Sequence, residues 1–494
     1  MMTKILVSLL LLTLYIVYAQ NGAGASGAYD PVSYGMANTY VASSRGIYAL
    51  GKNPANLSQD SVLKNNFSLD LYIPIIPAIN FSLYRNFLSI EELKYFFGGV
   101  YDGNGNLVGR TLTASDKQKF KDIFKDNAKM EFGLNFTPLA FTINPSKDIG
   151  SFGFAINHRL VSDLTLPADL FNLLIDNFTL GDEENAQKVY SMKNLNTKAG
   201  YFVDYNISYS RLIPEIKIDY LKNISAGISL KFVNGLAYSQ TKSTNLSVIT
   251  KNENNIVTTT IINNSSLLIS TSPDIKIKYD FDSTSSNGDS KISPFSKPAG
   301  TGLGFDIGFS AKSQDDLFLF GFAITDIGSI KWKENVVIYQ ANRTKVITSF
   351  TDKNQTENLG DTLKYKGKYT GAFTTSLPTA LRLGIATELQ KFIPEIPGRL
   401  LAEFNYNQGF NDELGNSTIP RFSLGFDWYI PSKWSPYIRT GFSAGGKYGF
   451  NWAFGLGFDT GVWELDIATL DLYTLFAPNS SRKFNFAVGN RWKF

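Results

Sequence analysis

Glu464 and Asp466 stand two residues apart in "VWELDIATL". Two carboxylates on one side of a strand could divide acid and base work in a hydrolase. Such an enzyme would also need a nucleophile within hydrogen-bond reach of a base. The chain has one histidine, His158, and no cysteine. In "GSFGFAINHRL", His158 keeps step with Phe152, Phe154 and Ile156, which marks an interfacial side chain rather than a base. Ion pairing with arginines such as Arg439 or Arg491 accounts for Glu464 and Asp466 without any reaction. "DGNGN" at 102–106 is a turn and not a phosphate-binding loop. The absence of cysteine removes disulfides, thiolate metal sites, thiol catalysis and a lipidated N-terminal cysteine. The residues therefore argue against an enzyme, and they call for no cofactor and no metal.

The elements that carry these side chains alternate with period two. "GFNWAFGLGFD" sets Phe450, Trp452, Phe454, Leu456 and Phe458 against Gly449, Asn451, Ala453, Gly455, Gly457 and Asp459. "RFSLGFDWYI" sets Phe422, Leu424, Phe426, Trp428 and Ile430 against Arg421, Ser423, Gly425 and Asp427. "LRLGIATELQ" opposes Leu381, Leu383, Ile385 and Leu389 to Arg382, Gly384, Glu388 and Gln390. The closing "KFNFAVGNRWKF" keeps the pattern to Phe494, with Arg491 on its polar side. A soluble sandwich alternates in the same way. Segments of about ten residues, Trp or Tyr near strand ends (Trp428, Trp434, Tyr448, Trp463, Trp492) and polar opposite faces favour a transmembrane barrel.

Connection lengths agree. If the C-terminus is periplasmic, 471–482, 445–448, 408–418, 331–377, 239–298, 162–198 and 86–128 are external. The connections 460–461, 431–434, 391–398, 313–316, 213–221 and 144–149 are then periplasmic, and every long one is external. In "FSLDLYIPIIPAINFSLY" the apolar parity is unbroken across Pro74 and Pro77, so the segment reads as one strand. The expected fold is all-β: a transmembrane antiparallel β-barrel of about 14 strands, an even number as bacterial barrels require. Its last strand pairs with its first.

"MMTKILVSLLLLTLYIVYAQ" has a basic start, an apolar run and a small residue before Gln20, the pattern of a cleaved signal peptide. The organisation expected is signal peptide 1–19, an N-terminal plug segment 20–63 and an outer-membrane barrel 64–494. No later run of 18 apolar residues occurs, so helical spans are excluded; the mean hydropathy of −0.09 suits alternating strands. A net charge of +4 without a basic cluster makes nucleic acid an unsuitable partner.

Residues 20–63 do not alternate. "SSRGIYALGKNPANLS" predicts a short helix capped by Ser43 or Ser44, stopped near Gly51 and followed by a turn at Asn53-Pro54. This helical plug, with Arg45, Asn53 and Pro54, would fill the lumen. Lumen-facing charges would be Arg382, Glu388, Arg421, Asp427, Arg439, Asp459, Glu464, Asp466 and Arg491. Short helices are expected in the outer loops. "SIEELKYFF" and "SDKQKFKDIFKD" open with capping boxes, Ser89 with Glu92 and Ser115 with Gln118, and "LPADLFNLLIDN" starts on Pro167. They either roof the outer mouth or pack on its rim. The stretch 241–272 reads as a polar ribbon.

"ASSRGIYALGKNPANLS" resembles the helix and Asn-Pro-Ala segment of FadL-type fatty-acid and hydrocarbon transporters. "LTASDKQKFKDIF", "LNFTPLAFTINPSKDIGSFGFAINHR", "GLGFDIGF", "FAITDIGSIKW" and "TSLPTALRLG" are closer to a distantly related group of outer-membrane proteins known only as a domain of unknown function. The resemblance implies a 14-stranded barrel with an N-terminal plug and, by analogy, a lateral exit at a kink formed by Pro74 and Pro77. It carries over no substrate-binding residue. The first reading is a plugged outer-membrane channel for small hydrophobic molecules, with outer-membrane lipid, a hydrophobic ligand and the barrel assembly machinery as partners. The alternative is a structural or assembly barrel that presents its outer loops to surface or secretion partners.

Overall fold

A computed structural model of the chain describes residues 30–59, 67–72, 78–176, 187–216, 218–253, 256–275, 296–348, 366–431, 436–447 and 449–494. Their main sheet has fourteen antiparallel positions and closes on itself. In chain order the positions are Ser68–Tyr72 with Ala78–Arg85, then Ala128–Ser146, Gly150–Leu166, Asn196–Leu212, Leu221–Ser243, Gly300–Ser313 and Phe318–Trp332. Ala380–Glu388, Arg399–Gly409, Arg421–Tyr429, Tyr437–Gly445, Asn451–Asp459, Trp463–Thr469 and Lys483–Lys493 complete it. The last strand returns to the first, pairing Leu71 with Trp492 and Phe81 with Phe486. Even Phe494 is in the ladder: its N–H donates to the Leu69 carbonyl at 2.8 Å, and the Leu69 N–H donates back at 2.9 Å.

Ser68–Tyr72 and Ala78–Arg85 lie between the same two neighbours and count as one position. Their registers differ. Tyr72 opposes Ala140 and Ala78 opposes Thr137, so a step of six positions along the first strand matches a step of three along the second. Residues 73–77, and with them Pro74 and Pro77, lie outside the described residues, as do the signal segment 1–19, Trp434 and Tyr448.

Alternation sorts the side chains, because successive strand residues point to opposite faces. Phe305, Phe404, Phe422, Trp452, Phe484 and Phe486 are exposed on the outer face. Ser229, Asp306, Asn405, Asp427, Asn451 and Asp466 are buried on the inner one. A closed wall thus carries its apolar row outside and its polar row inside.

Residues 30–59 lie against that inner row. Outside 46–50, which reach Asp70, Asp466 and Gly153, they follow the wall in reverse chain order. Gly35 meets Gly455, Met36 meets Gly441 and Gly425, Val41 meets Gly321, Asn53 meets Gly308, and Pro54 meets Gly227. A Cβ on Gly441 would stand 2.6 Å from the Met36 carbonyl carbon, and one on Gly227 would stand 2.4 Å from that of Pro54. Only glycine lets backbone approach backbone this closely. The expected helix over 43–51 does not form. Gly46–Ala49 is a single 3-10 turn preceded by an extended Arg45 with no side-chain cap. The two expected caps bond elsewhere: the Ser43 hydroxyl donates to Glu403, and the Ser44 hydroxyl accepts from Asn56 at 2.7 Å. The turn at Asn53-Pro54 does form, with the Asn53 side chain accepting from the Ala55 N–H.

The outer connections carry the helices. Ile90–Phe97 has its Ser89–Glu92 capping box. Ala114–Phe124 is boxed by Thr113 and Asp116, not by Ser115 and Gln118. The Asp116 carboxylate accepts from the Tyr95 hydroxyl at 2.7 Å and from the Thr113 N–H at 3.0 Å, and these bonds pull its pKa down to about 2. With Ala168–Asp176, these helices bury Phe120, Phe124 and Phe171 against Met130, Leu164 and Leu166 at the strand tops. The stretch 241–272 does not stand alone. Leu246–Glu253 and Ile256–Asn263 join Gln187–Ser191 and Arg343–Ile347 in a separate four-stranded sheet. Leu173, Tyr190, Val248, Ile261 and Ile347 form the core beneath it.

Leu456 lies on the outer face and Asn451 on the inner, 3.0 Å from the Lys483 ammonium. Leu456→Arg should destabilise the barrel in lipid by about 2–4 kcal/mol, the cost of a cation at the bilayer midplane. Asn451→Asp should cost clearly less. Heat-modifiability on gels compares the two, and equal losses would refute the register.

Candidate functional site

The strand Arg399–Gly409 turns Leu401, Glu403, Asn405 and Asn407 inward. Glu403 is fully buried (0 % exposed). Its carboxylate accepts the N–H groups of Tyr40 and Ala42 at 2.9 Å and of Ser43 at 3.1 Å, together with the Ser43 hydroxyl. The Asn405 side-chain oxygen accepts the Val41 N–H at 3.3 Å, and its amide donates to Glu403 at 2.7 Å. All four donors of 40–43 thus go to two side chains, a concave array of N–H groups around one anion. Tyr40 reaches it with φ of 99°, a conformation costly for a residue with a Cβ. The charge-assisted bonds offset that strain. Lys52 pairs with Asp30 at 2.6 Å and ties the segment to itself.

The closing strands hold a row of paired charges. Arg439 contacts Asp427 at 2.9 Å, Glu464 at 3.7 Å, and Asp466. Arg491 contacts Glu464 at 2.7 Å and Asp70 at 3.8 Å, and its guanidinium lies 4.8 Å from the Tyr48 ring centre. Lys493 bridges Asp459 at 2.5 Å and Glu464 at 3.3 Å. The Tyr48 hydroxyl donates to Asp466 at 3.1 Å. Glu464 and Asp466 are each held by cations, an arrangement that neutralises them rather than readying them for proton transfer.

The other sequence candidates stand apart from this row. Arg382 is buried, with Nε donating to the Thr325 hydroxyl at 3.3 Å, and Arg421 is buried on the inner face of its own strand. Glu388 is half-buried and pairs with Lys391 at 3.6 Å. Arg45 donates to the Ser44 carbonyl at 2.6 Å. The Asn53 amide donates to the carbonyls of Val41 at 3.2 Å and Phe309 at 3.1 Å. His158 is half-buried beside Phe136, 3.1 Å from the Tyr201 hydroxyl.

Sequence reasoning missed Glu403, although "LLAEFNYNQG" alternates as clearly as the strands it used. It also missed a second charge group at mid-wall. Lys231 binds Asp306 and Asp326, each at 2.8 Å, and Arg159 binds Asp204 at 2.8 Å. Asp306 is legible from alternation. Asp326 is not, because it sits at φ of 57° where its strand changes face.

Toward the end of the barrel with the long connections, the lining turns apolar. Phe202, Tyr238, Ile330, Trp332, Leu377 and Leu414 form one buried cluster. The Trp332 ring centre lies 5.1 Å from that of Tyr238 and stacks on Phe373 at 6.0 Å, and its indole N–H donates to Thr375 at 2.9 Å. Leu377 enters because the ladder breaks at Pro378, which has no N–H. There the Thr379 hydroxyl takes over, donating to the Asp326 carbonyl at 2.7 Å. A hollow of about 20 Å³ lies against the cluster, lined also by Arg159, Thr375, Ser376 and Glu413, with room for one water at most. A larger hollow of about 480 Å³ is lined by Leu212, Pro214, Ile218, Leu221, Ile224 and Gln314 at the opposite end of the strands. Among the described residues no group of three or more His, Asp or Glu is placed to hold a metal.

A family model described as a family of unknown function (DUF5723) matches residues 63–464. No curated protein matches the sequence. Among solved structures, the Ralstonia pickettii toluene transporter TbuX superposes with a TM-score of 0.43 at 11% identity, over 94% of this chain and 98% of that one. The Pseudomonas putida toluene transporter TodX gives 0.40 at 10% identity, over 96% and 98%. A Pseudomonas aeruginosa FadL homologue gives 0.40 at 11% identity, over 96% and 97%.

Glu403→Ala leaves three buried backbone N–H groups without their acceptor, at about 1–3 kcal/mol each. The variant should lose the seating of residues 40–43, read as faster hydrogen exchange at these amides. Exchange as slow as in the parent would refute the anchoring role.

Proposed function

This chain belongs to the DUF5723 family of unknown function, and we propose that it works as a plugged outer-membrane channel for small hydrophobic molecules. The wall supports the location. Its outer face is an apolar belt in which Phe305, Phe404, Phe422, Trp452 and Phe486 are bare. Soluble monomers rarely leave so large an apolar patch uncovered, and a bilayer covers it. On this reading residues 1–19 direct export, and the barrel assembly machinery receives the chain through its terminal aromatic strand. The segment 20–63 is the plug, held by Glu403 and by the inner glycines. The paired lumen charges anchor that plug and do no chemistry.

The observation that carries the solute class is the apolar cluster around Trp332. Elsewhere the inner wall is dominated by Asn, Ser, Asp, Arg and small residues. A polar solute gains nothing from Phe202, Tyr238 and Trp332, whereas an apolar one gains about 25 cal/mol for each Å² it buries there. The hollow beside the cluster measures only about 20 Å³, so loading requires these rings to part. The plug then diverts the solute sideways. The register offset between Ser68–Tyr72 and Ala78–Arg85 supports an exit at 73–77, through the stretch with Pro74 and Pro77.

Leu377→Asp puts a carboxylate in the cluster. Uptake of an apolar fluorescent probe into proteoliposomes should fall at least about tenfold, the effect of 1.4 kcal/mol. Unchanged uptake by a folded barrel would refute the solute class. Glu403→Ala should raise ion conductance in planar bilayers, and an unchanged conductance removes the plug. Pro74→Val with Pro77→Val restores two N–H donors to the wall and should slow apolar uptake at unchanged conductance. Uptake at the parent rate would exclude the sideways exit.

A further inference from the structure

The tops of Ala128–Ser146 and Gly150–Leu166 define which side of the wall the outer helices occupy. Glu131 and Asp163 both face Lys447, at 3.9 and 2.9 Å, and so belong to the inner row. Met130, Phe132, Leu164 and Ser162 alternate with them and belong to the outer row. On the bare belt this row would be exposed, but here Met130, Phe132 and Leu164 are buried. Phe120, Phe124 and Phe171 of the helices cover Met130 and Leu164. The helices therefore clad the outside of the barrel rim and do not roof its mouth. On the last strand, beyond the first, the outer row is uncovered again, with Phe484 50 % exposed. Phe81, beside it on the first strand, touches both Phe132 and Phe484, at ring-centre distances of 5.3 and 5.7 Å. Covered and bare stretches of the outer face are thus contiguous.

The cladding has an apolar surface of its own. Phe97 ends the helix Ile90–Phe97, and the hairpin Gly99–Tyr101 with Leu107–Gly109 follows at once. Tyr101 is 77 % exposed, Leu107 66 %, and Phe97 and Val108 are exposed too. A second strip comes from the connection after Thr469, where Phe476 is 78 % exposed beside Tyr473 and Leu475. The two strips are joined. The Glu91 N–H donates to the Asn479 carbonyl at 3.0 Å, and Arg482 binds Glu92 at 2.9 Å.

We propose that these two strips form a collar that docks in the headgroup region of the outer leaflet, on the side where the barrel closes. The occupant is lipid because the first strip is carried by helices that clad the outer face next to the bare belt, with the Phe97 ring 6.0 Å from that of Phe120. Tyr, Phe and Leu on short amphipathic elements are the residues that lie at such an interface. The collar would fix the depth and tilt of the barrel at its closure seam. The proposal rests on the membrane reading of the belt, and its test separates the two.

The parent chain has no cysteine, so single cysteines report cleanly. Tyr101→Cys, Leu107→Cys and Phe476→Cys are spin-labelled in the full chain and reconstituted in phosphatidylcholine–phosphatidylglycerol vesicles. Phe486→Cys marks the belt, and Thr344→Cys on the four-stranded sheet marks water. Collision with oxygen, relative to a water-soluble nickel chelate, should place the collar labels on the lipid side, with Phe486 and apart from Thr344. Collar labels that read like Thr344 would overturn the proposal, since the strips would then stand in water. Low collision with both reagents would also overturn it, because protein, such as a second copy of the chain, would be the cover. A Phe486 label that reads like Thr344 would overturn the membrane reading as well.

Discussion

A closed wall with a polar inner row must find hydrogen-bond partners inside, and the carboxylate of Glu403 is where this demand is most concentrated. It is fully buried and takes the N–H groups of Tyr40, Ala42 and Ser43. A buried carboxylate without such donors would cost several kcal/mol. Backbone donors inside a barrel, equally, have no water to turn to. Each side supplies what the other lacks. The strained φ of Tyr40, the bare glycines on the wall and the displaced serine caps all follow from bringing this stretch of backbone to that carboxylate.

Much of the wall was legible in the sequence because period-two alternation is a strong signal when one face is apolar and the other polar. Fourteen positions and the closure of the last strand on the first are read from it, and the Ser89–Glu92 box from its own spacing. The interior was less legible. Ser43 and Ser44 are good caps by type, but Glu403 and Asn56, far apart in sequence, compete for their hydroxyls. Thr113 displaced Ser115 because its partner three residues on, Asp116, returns a carboxylate to it, whereas Gln118 has only an amide. Asp326 and Leu377 enter the lumen only where their strands change face, and parity fails at such a point.

The lumen divides by chemistry along its length. Around the inner segment the side chains are polar or charged and paired, with Arg439 and Arg491 each meeting more than one carboxylate. Paired buried charges resist apolar replacement of either member alone, so they favour one arrangement over its neighbours. Around Trp332 the lining is held by ring contacts, which tolerate rotation at modest cost. The part of the lumen able to rearrange is thus the apolar part.

The reverse path of residues 35–43 has a consequence in time. A chain is made from its N-terminus, yet Gly35 to Ser43 find their partners on strands between Phe318 and Asp459. The first part of the segment to be synthesised therefore waits for nearly the last strands of the wall. Contacts of such sequence separation form late and slowly. Filling and closing are then a single event, and a chain shortened at its C-terminus would lack both the seam and the partners of its own beginning.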